Sequence, residues 1–66
     1  MMFPEQELWA SARYLLKIHG PRAPAFAASR IAALTEAGDD DGVMAWRMIA
    51  DRIDLLQGAE DGKVRD

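Results

Sequence analysis

The sequence predicts an all-α protein, a small three-helix bundle whose second and third helices form a hairpin. Three observations carry that reading. The stretch VMAWRMIADRIDLL, residues 43–56, places Val43, Trp46, Ile49, Ala50, Ile53 and Leu56 at offsets 0, 3, 6, 7, 10 and 13, the stripe of an amphipathic helix. A second run, AFAASRIAALTEA, is rich in alanine, the strongest helix former. Glycine and proline punctuate the chain at GPRAP and again at GDDDG, dividing it into three helical lengths.

Helix 1 is expected over residues 4–19. Pro4 fits the first turn, where its missing amide hydrogen costs nothing, and Glu5 and Glu7 suit the positive end of the helix dipole. Leu8, Ala12, Leu15, Leu16 and His19 share one face, flanked by Trp9. Arg13, Lys17 and His19 bring cations to the last turns; Gly20 is read as a left-handed cap, and Pro21 blocks continuation.

Helix 2 starts at Pro21 or Pro24. Proline disfavours a helical residue before it, so the start near Pro24 is preferred. Ala27, Ile31 and Leu34 form its stripe, with Phe26, Arg30 and Ala33 beside it, and its many alanines imply close approach of a neighbouring helix. Gly38 ends it. An aspartate among Asp39, Asp40 and Asp41 then caps helix 3. A connector of two to four residues implies either an antiparallel hairpin or a helix-turn-helix corner. Helix 3 is expected to end at Gln57 with Gly58 as its cap. This divides the chain into a domain over residues 1–57 and a flexible polar tail over residues 58–66, GAEDGKVRD.

Composition excludes several kinds of chemistry. No cysteine means no disulfide, no thiolate zinc site and no thiol nucleophile. One histidine cannot build a histidine-rich metal site. The net charge of -3 gives no global attraction to phosphate backbones or anionic membranes. No apolar run reaches the ~20 residues of a membrane span, and MMFPEQELW lacks the basic and apolar regions of a signal peptide. A soluble cytoplasmic protein is the expectation. At 66 residues the chain forms one domain with a small core, which makes oligomerisation one route to stability.

Candidate chemistry is sparse. Asp39, Asp40 and Asp41 are consecutive, whereas a calcium loop alternates its ligands and closes on a glutamate; helix capping is the reading preferred. His19 has no carboxylate or nucleophile at a spacing that selects it as a general base. Ser11, Ser29 and Thr35 sit in helical patterns without a nucleophile elbow. No catalytic, cofactor-binding or metal-binding residue is assigned, and the chain is read as non-enzymatic.

Helix 3 carries a second apolar line, Met44, Met48 and Leu55, interrupted by Asp51 or Arg52. Either it edges a core packed from two sides, or it is a binding surface, for which methionine is well suited. Trp9 and Tyr14 raise the same question on helix 1. These five residues are the candidate interaction surface of a protein-protein interaction or oligomerisation module, a homodimer or part of a hetero-complex. The alternative is a helix-turn-helix-like nucleic-acid-binding regulator using Arg30, Arg47 and Arg52. Against it, three aspartates stand where that fold's recognition helix meets DNA, and Asp51 and Asp54 offset Arg47 and Arg52.

The segments ELWASARYLLKIHG, AP-FAASRIAAL-EAGD and GVMAWRMIADRIDLL resemble a family of short bacterial all-helical proteins of unknown function. The carrying residues are Trp9, His19, Gly20, Ala23, Pro24, Phe26, Arg30, Leu34, Gly38, Asp39, Gly42 and Trp46. This resemblance implies a helical fold and brings no activity, ligand or partner. EAGDDDGVMAW also resembles the turn of tetratricopeptide-type repeats, which implies helix-hairpin geometry alone.

Overall fold

The computed structural model describes the backbone of residues 4–65 and the side chains of residues 4–58. Residues 1–3 lie outside the described residues. The chain is all-α among the described residues. Helix α1 spans Glu5–His19, a single 3-10 turn spans Gly20–Arg22, α2 spans Ala23–Ala37 and α3 spans Asp40–Arg65.

Pro4 opens α1 from an extended conformation (φ −60°, ψ 136°). Its carbonyl accepts the Glu7 amide at 3.1 Å and the Leu8 amide at 3.2 Å. Glu5 and Glu7 stand in the first turn and Lys17 and His19 in the last, the arrangement the helix dipole favours. Gly20 ends the helix with φ +57°, but its ψ of −132° lies far from the left-handed helical value that a simple glycine cap takes. That geometry feeds the 3-10 turn, not an open loop.

α2 begins at Ala23, one residue before Pro24. Ala23 is helical (φ −56°, ψ −43°) despite the proline that follows. The pre-proline bias is modest, and Ala23 is fully buried, so packing overrides it.

Between α2 and α3 lie only Gly38 and Asp39, and both backbone amides there have a partner. Gly38 is left-handed (φ 75°, ψ 22°). Its amide donates to the Thr35 carbonyl at 3.1 Å, and the Asp39 amide donates to the Leu34 carbonyl at 2.9 Å, the two bonds of a Schellman ending. Asp39 then caps α3: its Oδ1 accepts the Gly42 amide at 3.0 Å and its carbonyl accepts the Val43 amide at 3.0 Å. Gly42 is close to both neighbours. A Cβ there would stand 2.8 Å from Asp39 Oδ2 and 3.1 Å from Leu34 Cδ2.

α3 does not stop at Gln57. The backbone stays helical through Gly58 to Arg65, and Gly58 is not a cap. Positive φ occurs at Gly20 and Gly38 alone among the described residues. A mid-helix glycine costs only about 1 kcal/mol relative to alanine, and among the described residues nothing packs against Gly58.

α3 is the central element, packing extensively against α2 and also against α1, which itself meets α2 less. The core joins Ala12 and Leu15 of α1, Ala23 and Ala27 of α2 and Ile53 of α3. Leu16, Phe26, Trp46, Ile49, Ala50 and Leu56 pack around it. Leu8 is also buried. Of the stripe expected on helix 2, Ala27 is in the core, Ile31 and Leu34 are only half-buried, and Ala23 takes an inner place. Three of these buried positions on α1 and α2 are alanines, which let the helix backbones approach α3 closely.

Candidate interaction surface

Three aromatic rings connect the helices. The His19 ring stacks on Phe26 with centroids 4.2 Å apart and planes at 18°. Phe26 in turn meets Trp46 edge-on at 5.9 Å, and the Arg30 guanidinium lies 5.9 Å from the Trp46 centroid. A last-turn residue of α1, a first-turn residue of α2 and a residue of α3 therefore form one continuous row.

Beside this row is a groove of about 380 Å³. α1 supplies Ser11, Tyr14, Leu15, Ile18 and His19; α2 supplies Phe26; α3 supplies Trp46 and Ile49. Tyr14 and Ile18 remain 62% and 53% exposed. The walls are largely apolar and half of the lining residues are aromatic, with polar tips at Tyr14, His19 and Ser11, and the volume lies in the range of small binding sites.

A separate apolar line runs along the outer side of α3. Met44 and Leu55 are 52% and 55% exposed, and Met48 is half-buried. At about 100° per residue these three fall within roughly 40° of one another and on the opposite side of α3 from Ile53. Asp40, Asp41 and Asp51, all exposed, flank them.

The five residues singled out in the sequence therefore divide. Tyr14 belongs to the groove and Met44, Met48 and Leu55 to the outer line of α3. Trp9 belongs to neither: it is half-buried, its Nε1 donates to Glu5 Oε2 at 3.0 Å, and Arg52 lies 5.6 Å from its ring centroid. Ile18 and the His19–Phe26 stack were not singled out. Ile18 could have been found, since it stands one turn from Tyr14 on the same side of α1.

The three arginines also separate. Arg52 Nη2 donates to Glu5 Oε2 at 2.7 Å and Nη1 to Asp51 Oδ2 at 3.2 Å, leaving its side chain 17% exposed. Arg30 lies over Trp46, and Arg47 is exposed. Arg47 and Arg52 point about 140° apart around α3. The three aspartates stand at the start of α3, where Asp39 serves as the cap and Asp40 and Asp41 lie in the first turn. Among the described residues no three His, Asp or Glu side chains gather as a metal ion requires, and no helix is long and apolar enough to cross a membrane.

Neither the curated proteins nor the solved structures contain a match to this chain. A family model does match it, over residues 4–61, which takes in α1, α2 and most of α3. The chain belongs to the family of unknown function DUF6961.

Proposed function

We propose that this chain is a small non-enzymatic protein-protein interaction module that self-associates, in the cytoplasm, through apolar surface its own fold leaves open. The observation that carries this reading is the exposure of four large apolar side chains, Tyr14, Ile18, Met44 and Leu55, each more than half open to solvent. Small folded chains rarely leave such surface uncovered in grouped positions without a binding role. Methionine and aromatic residues are also the types enriched where proteins meet. As part of the same reading, the helices are a compact three-helix bundle with an α2–α3 hairpin; α3 packing against both partners supports it. A homodimer is the smallest product.

The nucleic-acid reading has less to support it. Arg52 is engaged by two carboxylates, and exposed aspartates stand at the start of α3.

Self-association links stability to concentration, because assembly binds only the folded chain. The midpoint of thermal unfolding, followed by circular dichroism, should climb by several degrees as protein concentration rises about a hundredfold. A midpoint independent of concentration contradicts self-association.

A further inference from the structure

The charges of this chain are segregated. Between Leu8 and Thr35 there is no Asp or Glu, while Arg13, Lys17, Arg22 and Arg30 and the single histidine all lie in that stretch. The groove is built largely from the same stretch. Arg30 stands one turn beyond Phe26 on α2 with its guanidinium over Trp46, Arg22 closes the 3-10 turn that leads into α2, and Lys17 stands one turn from Tyr14 on α1. All three are exposed, and none is paired with a carboxylate among the described residues. The groove is therefore half aromatic in its lining and lies in the cationic part of the chain, with Arg30 over its Trp46 wall.

The outer line of α3 has the complementary character. Met44 and Met48 form an apolar ridge with Asp40, Asp41 and Asp51 beside it. Thioether side chains adapt to irregular apolar walls and make favourable contacts with aromatic rings, which here are those of Tyr14, His19, Phe26 and Trp46. Ser11 to Ile18 spans roughly 10 Å of α1, enough to seat about two turns of an incoming helix, the length from Met44 to Asp51.

We propose that the groove of one copy receives the Met44–Met48 face of α3 from a second copy, with Lys17, Arg22 and Arg30 of the first facing Asp40, Asp41 and Asp51 of the second. This deepens the proposed self-association and rests on it. Trp46 and Ile49, which line the groove, point about 150° away from the Met44–Met48 line around α3, so one copy cannot turn both surfaces to the same partner and the contact is heterologous. Two joined copies still carry one open groove and one open ridge. Assembly therefore continues past the dimer as concentration rises, and salt weakens it by screening these charges.

The test is complementation between two variants, read by sedimentation equilibrium with far-UV circular dichroism to confirm the fold. Lys17→Glu with Arg22→Glu reverses two of the facing cations and leaves the ridge. Met44→Glu disables the ridge and leaves the groove. Each variant alone should sediment as a monomer. Their equimolar mixture should reach about twice that mass and stop there, because a single intact contact remains. If the reversal variant fails to fold, Lys17→Gln with Arg22→Gln replaces it and should weaken association several-fold by the same loss of positive charge. A mixture that stays monomeric overturns the heterologous contact in favour of a symmetric one. Variants that associate like the parent chain overturn the groove-and-ridge contact and leave self-association standing. A parent chain that is monomeric throughout overturns both.

Discussion

Arg52 and Glu5, 47 residues apart in the chain, meet at 2.7 Å and tie the middle of α3 to the first turn of α1. The same guanidinium lies 5.6 Å from the Trp9 ring centroid, while Trp9 donates to Glu5. Three side chains thus lock the opening of α1 onto α3. The Nε of Arg52 is buried without a partner among the described residues, so the arrangement is incompletely satisfied.

Arg52→Ala removes both the ion pair and the packing of the long stem, and should lower stability by about 1–2 kcal/mol. Glu5→Gln should cost less than about 1 kcal/mol, since the carboxylate is largely exposed and solvent screens the pair. Arg52→Met keeps the stem and deletes the unsatisfied Nε, and should fall between the parent and Arg52→Ala. Urea unfolding of the three variants gives this order directly.

The α2–α3 connection makes a sharper prediction, about coupling. Asp39→Ala removes the cap of α3 and should cost about 1 kcal/mol. Gly42→Ala gains helix propensity, but its methyl group would meet the capping carboxylate at 2.8 Å and Leu34 Cδ2 at 3.1 Å, and the net should be destabilising. In the Asp39→Ala background the nearer clash is gone, so Gly42→Ala should become neutral or stabilising. A double-mutant cycle measures this; simple additivity would mean that Asp39 is not what limits position 42.

Gly38 needs a positive φ for the Schellman ending, and nothing stands near its missing Cβ. Gly38→Ala should therefore cost about 1 kcal/mol from backbone conformation alone, with Gly38→Asn costing less. Equal losses in the two variants would point to a steric cause that the open space around Gly38 does not suggest.

Ile53 is the largest side chain that is fully buried, surrounded mainly by alanines and half-buried neighbours. Ile53→Ala should cost about 2–5 kcal/mol and leave a chain of this size largely unfolded, whereas Ile53→Val should cost about 0.5–1.5 kcal/mol. Ala27→Leu tests the complementary limit: at a fully buried alanine the extra volume should cost about 1–3 kcal/mol. Thermal midpoints followed by circular dichroism read all three.

What the sequence revealed follows the range of the interactions involved. The stripe from Val43 to Leu56 was legible because helix periodicity repeats locally, and Ile53 does lie at the centre of the core. Gly38 and the Asp39 cap were legible because turn chemistry is settled within a few residues. The Arg52–Glu5 tie was not, since no local pattern selects one carboxylate 47 residues away. Ala23 was assigned to the turn on the strength of Pro24, a local bias that tertiary packing overrode. The helix also runs through Gly58, because a glycine inside a helix costs little and does not by itself end it. The charge segregation around the groove became meaningful only once Tyr14, Phe26 and Trp46 were seen to line one space.

The central claim is that Tyr14, Ile18, Met44 and Leu55 are exposed because another copy of the chain covers them. Molar mass from light scattering on a sizing column, over a wide concentration range, tests this most directly. The mass should rise above 7.3 kDa with concentration and fall back toward it in Met44→Glu. A mass fixed at 7.3 kDa at every concentration would contradict it.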